Sequence, residues 1–521
     1  MQVALLVVLL GPFMVSAIRV LPNDDRDPVF DNKFSDLRRR QLEKNLDPNT
    51  DDSPADHRIS SLPLVDDLSI ELYSGLLKAS EDGDKKFFYW LVAPEDADAR
   101  ASPNTPILIW LNGGPGCSSN DGFFLENGPL TFKQGEDSQV KLVKNPYSWH
   151  LAPAWVLYID QPVGTGLSIT KSHKYPTNDL EVNIDFLYFL EEFLLFHHDK
   201  FLEDDNAQAS NPIYFSGESH AGHYIPSMMD YIRGKPAQAR IEMKLGGAAI
   251  GNGWIDPFNQ YAAADIAYGM GLINLSQKAH LDKKEKDCQQ QLSNGRYNVH
   301  DCFVLLDDIV DQSFGGDAKT HASMYDATMA EIKGAPRTFP HGHDLIAVYL
   351  GGGSHANMIV DYKDVLTSIH ATETMSVGQR YQECTDPPYL ALQHQDGLGV
   401  TKEITNLLEN NIPMLFYNGM NDLVCNHVGT EKSLLKLGWS KIQDWTMANR
   451  FTWTLDGSDK PTAYVHEYQN LIYLKIPRSG HMVPQDQPEV ALKMIQKFLH
   501  SKSFRQNAQR LETAAEIAES C

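Results

Sequence analysis

Basic residues are scarce beside acidic ones: 45 Lys and Arg stand against 68 Asp and Glu, a formal net charge of −23 at pH 7. Such a surface repels phosphate backbones, so nucleic acid is excluded as a natural partner. Cysteine is scarce too, with six in 521 residues and no C-x-x-C pair, which removes the common zinc-site spacings. No G-x-x-x-x-G-K-[ST] segment occurs, so the glycine-rich stretches are not phosphate loops. Beyond the N-terminus no uncharged apolar run approaches the roughly 20 residues of a membrane helix, and no stable membrane anchor is expected. The run that does exist, residues 3–17, ends in Val15, Ser16 and Ala17. It reads as a signal peptide, although its n-region carries no basic side chain.

Export permits disulfides. Cys117, Cys288, Cys302, Cys384, Cys425 and Cys521 allow 15 pairings, among which Cys288 with Cys302 is attractive because the two enclose a short polar loop. Asn274 heads the one acceptable glycosylation sequon, Asn274-Leu275-Ser276. His341 and His343 flank Gly342, but no third ligand is indicated and both read as structural; no metal and no cofactor are expected.

What the chain has is a series of short apolar runs: 87–92, 107–111, 155–159, 213–216, 245–250, 414–417 and 471–476. Their uniform apolarity predicts strands buried on both faces, and helical patterns at 182–196, 224–232 and 490–499 alternate with them. An α/β fold with a mostly parallel central sheet follows. The expected organisation is a signal peptide over 1–17, an arm or pro-segment over 18–60, a core over 61–253 and 396–500, an inserted and largely helical cap over 254–395, and a polar tail over 501–521.

The strand at 213–216 runs into Gly217-Glu218-Ser219-His220-Ala221-Gly222 and then a helix. This is the pattern of a nucleophile elbow, where small neighbours let a strained serine present its Oγ at a helix N-terminus. Two later strand ends lead into Asp422 and His481, giving the order Ser, Asp, His of an α/β-hydrolase. In that reading His481 is the base for Ser219, and Asp422 fixes its tautomer. The Gly-rich turn after the strand at 107–111 offers the N–H of Gly114 as one oxyanion donor, with that of His220 as the other.

Four segments then carry a family resemblance: Trp110-Leu111-Asn112-Gly113-Gly114-Pro115-Gly116-Cys117-Ser118-Ser119, Gly217-Glu218-Ser219, Asp422-Leu423-Val424-Cys425-Asn426 and Gly480-His481-Met482-Val483-Pro484. In this order they resemble the serine carboxypeptidases over roughly residues 61–500. Ile159-Asp160-Gln161-Pro162-Val163-Gly164-Thr165-Gly166 and Cys425-Asn426-His427-Val428-Gly429-Thr430-Glu431 resemble the fungal Kex1-type branch, carboxypeptidase D. The resemblance implies an α/β-hydrolase that hydrolyses the last bond of peptide or protein C-termini through an acyl-enzyme, in the secretory pathway as a secreted or vacuolar protein. A serine carboxypeptidase-like acyltransferase or esterase is the alternative. It also implies that Asn112, Glu126 and Glu218, near Trp110, hold the substrate's terminal carboxylate, since two close carboxyls sharing a proton can donate to an anion. It implies disulfides Cys117–Cys384 and Cys288–Cys302, and substrate pockets shaped by Asp121, Cys425 as a free thiol, and Met482. Asp121 would suit a C-terminal Lys or Arg. His220 stands where the family usually has Tyr or Phe, Met420 and Asn421 replace a more acidic turn, and the Kex1-type acidic tail and anchor are not seen.

Overall fold

The computed structural model describes residues 53–505, apart from 137, 204–206, 237–238, 314–318 and 333–341. The expected signal peptide, most of the expected arm, His341, Cys521 and the tail from 506 onward lie outside the described residues.

An 11-stranded sheet organises the chain. Its strands are β1 (Leu72–Lys78), β2 (Lys85–Val92), β3 (Ile107–Leu111), β4 (Trp155–Ile159), β5 (Ile169–Thr170), β6 (Ile213–Ser219), β7 (Leu245–Gly253), β8 (Met414–Gly419), β9 (Phe451–Trp453), β10 (Ala463–Tyr468) and β11 (Leu471–Ile476). They lie in the order β1-β2-β4-β3-β6-β7-β8-β11-β10-β9, with the short β5 beside β2. From β4 through β11 the neighbours are parallel, and the strands outside that run pair antiparallel. Every residue of β3 and of β4 is buried, because helices cover both faces of a parallel sheet and leave no solvent-facing side to alternate toward. The antiparallel strands β1, β9 and β10, with the two-residue β5, are the strands of this sheet that the apolar runs did not announce. β10 alternates buried Ala463 and Val465 with exposed Tyr464, so its apolar content is diluted by a solvent-facing side.

Helix α1 (Asp179–Phe196) starts where the Asn178 side chain accepts from the Glu181 N–H, and α2 (Ala221–Arg233) follows β6 directly. The last helix of the sheet layer, Pro488–Ser501, begins with proline, whose missing N–H costs nothing at that position.

The stretch 254–395 packs in two parts. Helices α3 (Leu275–Ser293) and α4 (His300–Gln312) lie side by side, closed by the disulfide Cys288–Cys302, and bury Leu281, Leu305 and Ile309 in a satellite core with Leu423. Asn274 is exposed and caps α3, its side chain accepting from the Gln277 N–H. Helix α5 (His343–Gly351) and the helix Tyr362–Ser368 instead send Ile346, Leu350, Val365 and Leu366 into the main core beside the sheet. The end of the expected arm also joins the body: His57 and Ile59 are buried, and the Ile59 N–H donates to Leu72 of β1.

Candidate active site

Ser219 ends β6 at φ +60°, left-handed backbone that a residue with a Cβ adopts only when its surroundings impose it. Two glycines make this turn fit. A Cβ on Gly222 would stand 2.6 Å from the Gly253 Cα, so α2 could not pack against β7. A Cβ on Gly113 would stand 2.4 Å from the His220 nitrogen and 2.6 Å from the Ser219 Cβ. The Gly113-Gly114 segment therefore lies against the start of α2, which brings the backbone of Gly114 and His220 to one side of the serine.

Asp422 and His481 follow the C-terminal ends of β8 and β11, which are neighbours in the sheet. His481 Nδ1 lies 2.8 Å from Asp422 Oδ2, both fully buried, and the His481 N–H donates to the Tyr325 carbonyl at 2.8 Å. Asp422 is itself fixed from three sides: the N–H groups of Val424 and Cys425 and the Asn252 Nδ2 donate to its oxygens at 2.9, 3.1 and 2.7 Å. Burial alone would lower the His481 pKa, but the Asp422 charge and hydrogen bond outweigh it and hold the imidazole above its usual value. Ser219, His481, Gly114 and Glu218 line one cavity of about 330 Å³ together with Asn112, Asp121, His343, Glu383 and Met482.

Beside the serine, Asn112 is held by the Trp110 indole N–H, which donates to its Oδ1 at 2.7 Å. Its Nδ2 then donates to Glu126 at 3.1 Å and to Glu218 at 3.3 Å. Both glutamates are buried, and each has its second carboxylate oxygen without a hydrogen-bond partner. Burial pushes both pKa values up, Glu218 further because Glu126 lies against it. The pair is built to keep a proton that isolated glutamates would lose.

A second cavity, about 180 Å³, opens from Ser219 toward His220, Trp254, Tyr261, Phe303, Asp396 and Cys425. Cys425 is free, and burial raises its thiol pKa well above the usual value, so it is an inert wall rather than a nucleophile. Tyr261 donates to Asp396 at 2.8 Å, and His220 Nδ1 lies 3.8 Å from the same carboxylate. The His220 ring is pushed down to about 3 by burial and is neutral.

The match that decides the identity runs over residues 63–501, which fit the serine carboxypeptidase family model. The chain belongs to the serine carboxypeptidase family. Over 470 residues it is 33% identical to the pheromone-processing carboxypeptidase Kex1 of Phytophthora infestans, covering 89% of this chain and 74% of that protein. It is 35% identical to serine carboxypeptidase S10 family member 2 of Dictyostelium discoideum, covering 88% of this chain and 78% of that one. Among solved structures, the Saccharomyces cerevisiae prohormone-processing carboxypeptidase Kex1(delta)p superposes with a TM-score of 0.72 at 25% identity, over 87% of this chain and 97% of that chain.

Three features of this serine carboxypeptidase escape a reading of the sequence. Asn252 orients Asp422 while its Oδ1 accepts from the Gly419 N–H at 2.9 Å; its only trace is a polar residue between Gly251 and Gly253 at a strand end. Asp160 is buried and accepts from the Ser118 hydroxyl (2.7 Å), the Ser119 N–H (2.9 Å), the Asn120 side chain (3.1 Å) and the Leu167 N–H (2.9 Å). It thereby fixes the loop that follows the Gly-rich turn, and burial pushes it up to about 7. The third is a partner set for Asp121: His343 Nδ1 lies 3.5 Å from Asp121 and 3.1 Å from Glu383. Burial raises Asp121 to about 6, while the two carboxylates raise His343 to about 10 against its own burial. The disulfide Cys117–Cys384 ties this cluster to the Gly-rich turn.

Proposed function

We propose that Ser219, His481 and Asp422 are the catalytic triad with which this serine-type carboxypeptidase removes the last residue of a peptide. The observation that carries the reading is the buried Glu126–Glu218 pair on Asn112, set beside a serine in an elbow. A proton-sharing carboxyl pair is a receptor for an anion that arrives at one fixed distance from the nucleophile, which is what a C-terminus is and an internal peptide bond is not. An ester or acyl donor without a free carboxylate has no use for it.

Ser219 Oγ attacks the last peptide carbonyl as its proton passes to His481, and Asp422 stabilises the imidazolium. The N–H groups of Gly114 and His220 receive the oxyanion. The bond to the terminal amino acid breaks as His481 returns the proton to the amine, and water then releases the acyl group by the same route. The leaving residue's side chain faces Asp121, Glu383 and Met482, and the preceding one enters the cavity walled by His220, Phe303 and Cys425. Above about pH 6, where Asp121 is ionised, two carboxylates against one imidazolium leave a net negative charge, which supports a preference for C-terminal Lys or Arg there.

Passage through the secretory pathway, to the outside or to a vacuole, belongs to the same proposal. It is supported by the apolar residues 3–17, by the two disulfides and by the absence, among the described residues, of a helix long and apolar enough to cross a membrane. The test is Ser219→Ala: peptide hydrolysis and labelling by a fluorophosphonate are both lost while the protein stays folded. Labelling at the wild-type rate would remove Ser219 from the reaction. Matched blocked peptides ending in a free acid or an amide settle the second half, because only the acid engages the carboxyl pair.

A further inference from the structure

We infer that Asp121, His343 and Glu383 form a Zn²⁺ site in the wall of the leaving-residue pocket, and that zinc bound there blocks hydrolysis. The blocking rests on the carboxypeptidase reading above; the binding does not.

The donor set is one imidazole and two carboxylates, which zinc takes in three-ligand sites that leave a fourth position open. Calcium and magnesium favour oxygen donors alone. One ligand atom from each residue lies within 4.8 Å of the others. The distances from His343 Nδ1, 3.5 Å to Asp121 and 3.1 Å to Glu383, match the spacing of two donors on one zinc ion. Tetrahedral bonds of about 2.0 Å place neighbouring donors about 3.3 Å apart. The three need little movement to close on an ion.

They are also held in advance. Asp121 leads into the π-helical turn Gly122–Glu126, His343 is the first residue of α5, and Glu383 is locked by the neighbouring Cys384 to Cys117. Asp121 is 5% exposed, and its Oδ1 makes no hydrogen bond, facing the His343 Nδ1 at 3.5 Å, which leaves the buried oxygen incompletely satisfied and receptive to a cation. Both Asp121 and Glu383 face the cavity that contains Ser219 and His481, so an ion between them presents its open position to the arriving C-terminal residue. A competing cluster, Asp422, Cys425 and His481, is less apt, because both Asp422 oxygens already accept hydrogen bonds.

The experiment titrates the full chain carrying Ser219→Ala with zinc chloride by calorimetry, in a buffer that does not chelate. In parallel, zinc inhibition of the wild type is measured on peptides ending in Lys and in Leu. One equivalent binds, and His343→Ala and Glu383→Gln each weaken it at least about tenfold, since even losing a residue behind a ligand costs 10–100-fold. The same variants raise the inhibitory zinc concentration by the same factor. Glu383→Gln keeps the shape of the side chain and serves if His343→Ala does not fold. Binding unchanged in both variants, or lost instead in Asp422→Asn, overturns the assignment. Binding that disappears in the variants while the zinc-loaded wild type still hydrolyses both peptides overturns the blocking. Zinc binding in a chain that cleaves no peptide leaves the site standing and sinks the carboxypeptidase reading alone.

Discussion

A proton held on the buried Glu126–Glu218 pair ties both binding and stability to pH, and in the same direction. For binding, a pair acting as proposed holds a C-terminal carboxylate only while protonated, so the expected KM for acid substrates rises with pH. The amide substrates lack this rise, and Glu218→Gln removes it. His481 makes the other demand: its raised pKa keeps it protonated, and so unable to accept the Ser219 proton, to a higher pH than a free imidazole, and kcat falls as pH drops below that value. KM and kcat measured from pH 4 to 8 separate the limbs; coincident acid and amide profiles would leave no role for the pair. For stability, the folded pKa values lie above the ordinary 4.5 of glutamate, so the folded state retains a proton that the unfolded chain releases. The pair therefore costs stability progressively as pH rises above that value, and the melting temperature of Glu218→Gln gains on wild type between pH 5 and 8. Asn252→Ala leaves a lone pair of Asp422 unanswered and lowers kcat about 10–100-fold with KM little changed, the usual cost of losing an orienting partner. At this scale the residues proposed as the triad stood out in the sequence because each sits in a short motif at a strand end, and the structure places Asp422 and His481 within hydrogen-bond reach. Asn252, Asp160 and the Asp121–His343–Glu383 cluster were not, since their roles come from neighbours distant in the chain: Glu383 is 262 positions from Asp121 in the sequence and 3.1 Å from His343 in space.

Among the elements, the elbow is the one whose geometry admits least change. Gly222→Val forces a branched side chain into the Gly253 backbone, costs about 1–3 kcal/mol of stability by overpacking, and displaces Ser219. A lowered urea midpoint together with slowed fluorophosphonate labelling is the expected result; labelling at the wild-type rate would separate the packing from the nucleophile's position. The pair of helices α3 and α4 invites a different test. Opening Cys288–Cys302, which are 14 residues apart, with Ser at both positions costs about 3 kcal/mol by the loop-entropy argument. Phe303 and Leu306 of α4 line the cavity proposed for the residue before the scissile bond, so the expected rise in KM is largest for peptides with a large side chain there. The parallel strands were legible from the sequence because burial on both faces makes them continuously apolar. β1, β9 and β10 were less so: Ser74 and Gly75 interrupt the apolar run of a buried β1, β9 is only three residues long, and exposed Tyr464 dilutes β10; the packing of α5 into the main core was invisible because its apolar residues carry no record of which layer they join.

For the molecule as a whole, buried titrating groups set a preferred acidity. Burial holds Asp160 and Glu285 at about 7 and Asp121 and Asp185 at about 6, so each keeps a proton in the folded state that the unfolded chain gives up near pH 4. Their contribution is lost as pH rises through those values. His150, held at about 4, and His197 and His220, at about 3, act in the other direction: neutral when folded and protonated when unfolded below about 6.5, they cost stability as pH falls. The formal charge of −23 at pH 7 adds self-repulsion on the alkaline side. The melting temperature should pass through a maximum at mildly acidic pH and be lower at pH 8 than at pH 5.5; a steady rise across that span would contradict these directions. The disulfide Cys117–Cys384 gives the fold one more dependence on its surroundings. It joins residues 267 apart, and the segment it fastens carries Glu383, Thr385 and Tyr389, which face Ser219 across the cavity. The sheet, the elbow and the Asp422–His481 pair draw on no part of that bond. A chain kept in a reducing cytosol would thus hold this wall of the cavity through non-covalent contacts alone, among them the hydrogen bonds from Ser118 to Glu383 and from Thr385 to Gly116, and an oxidising compartment would add the covalent fastening.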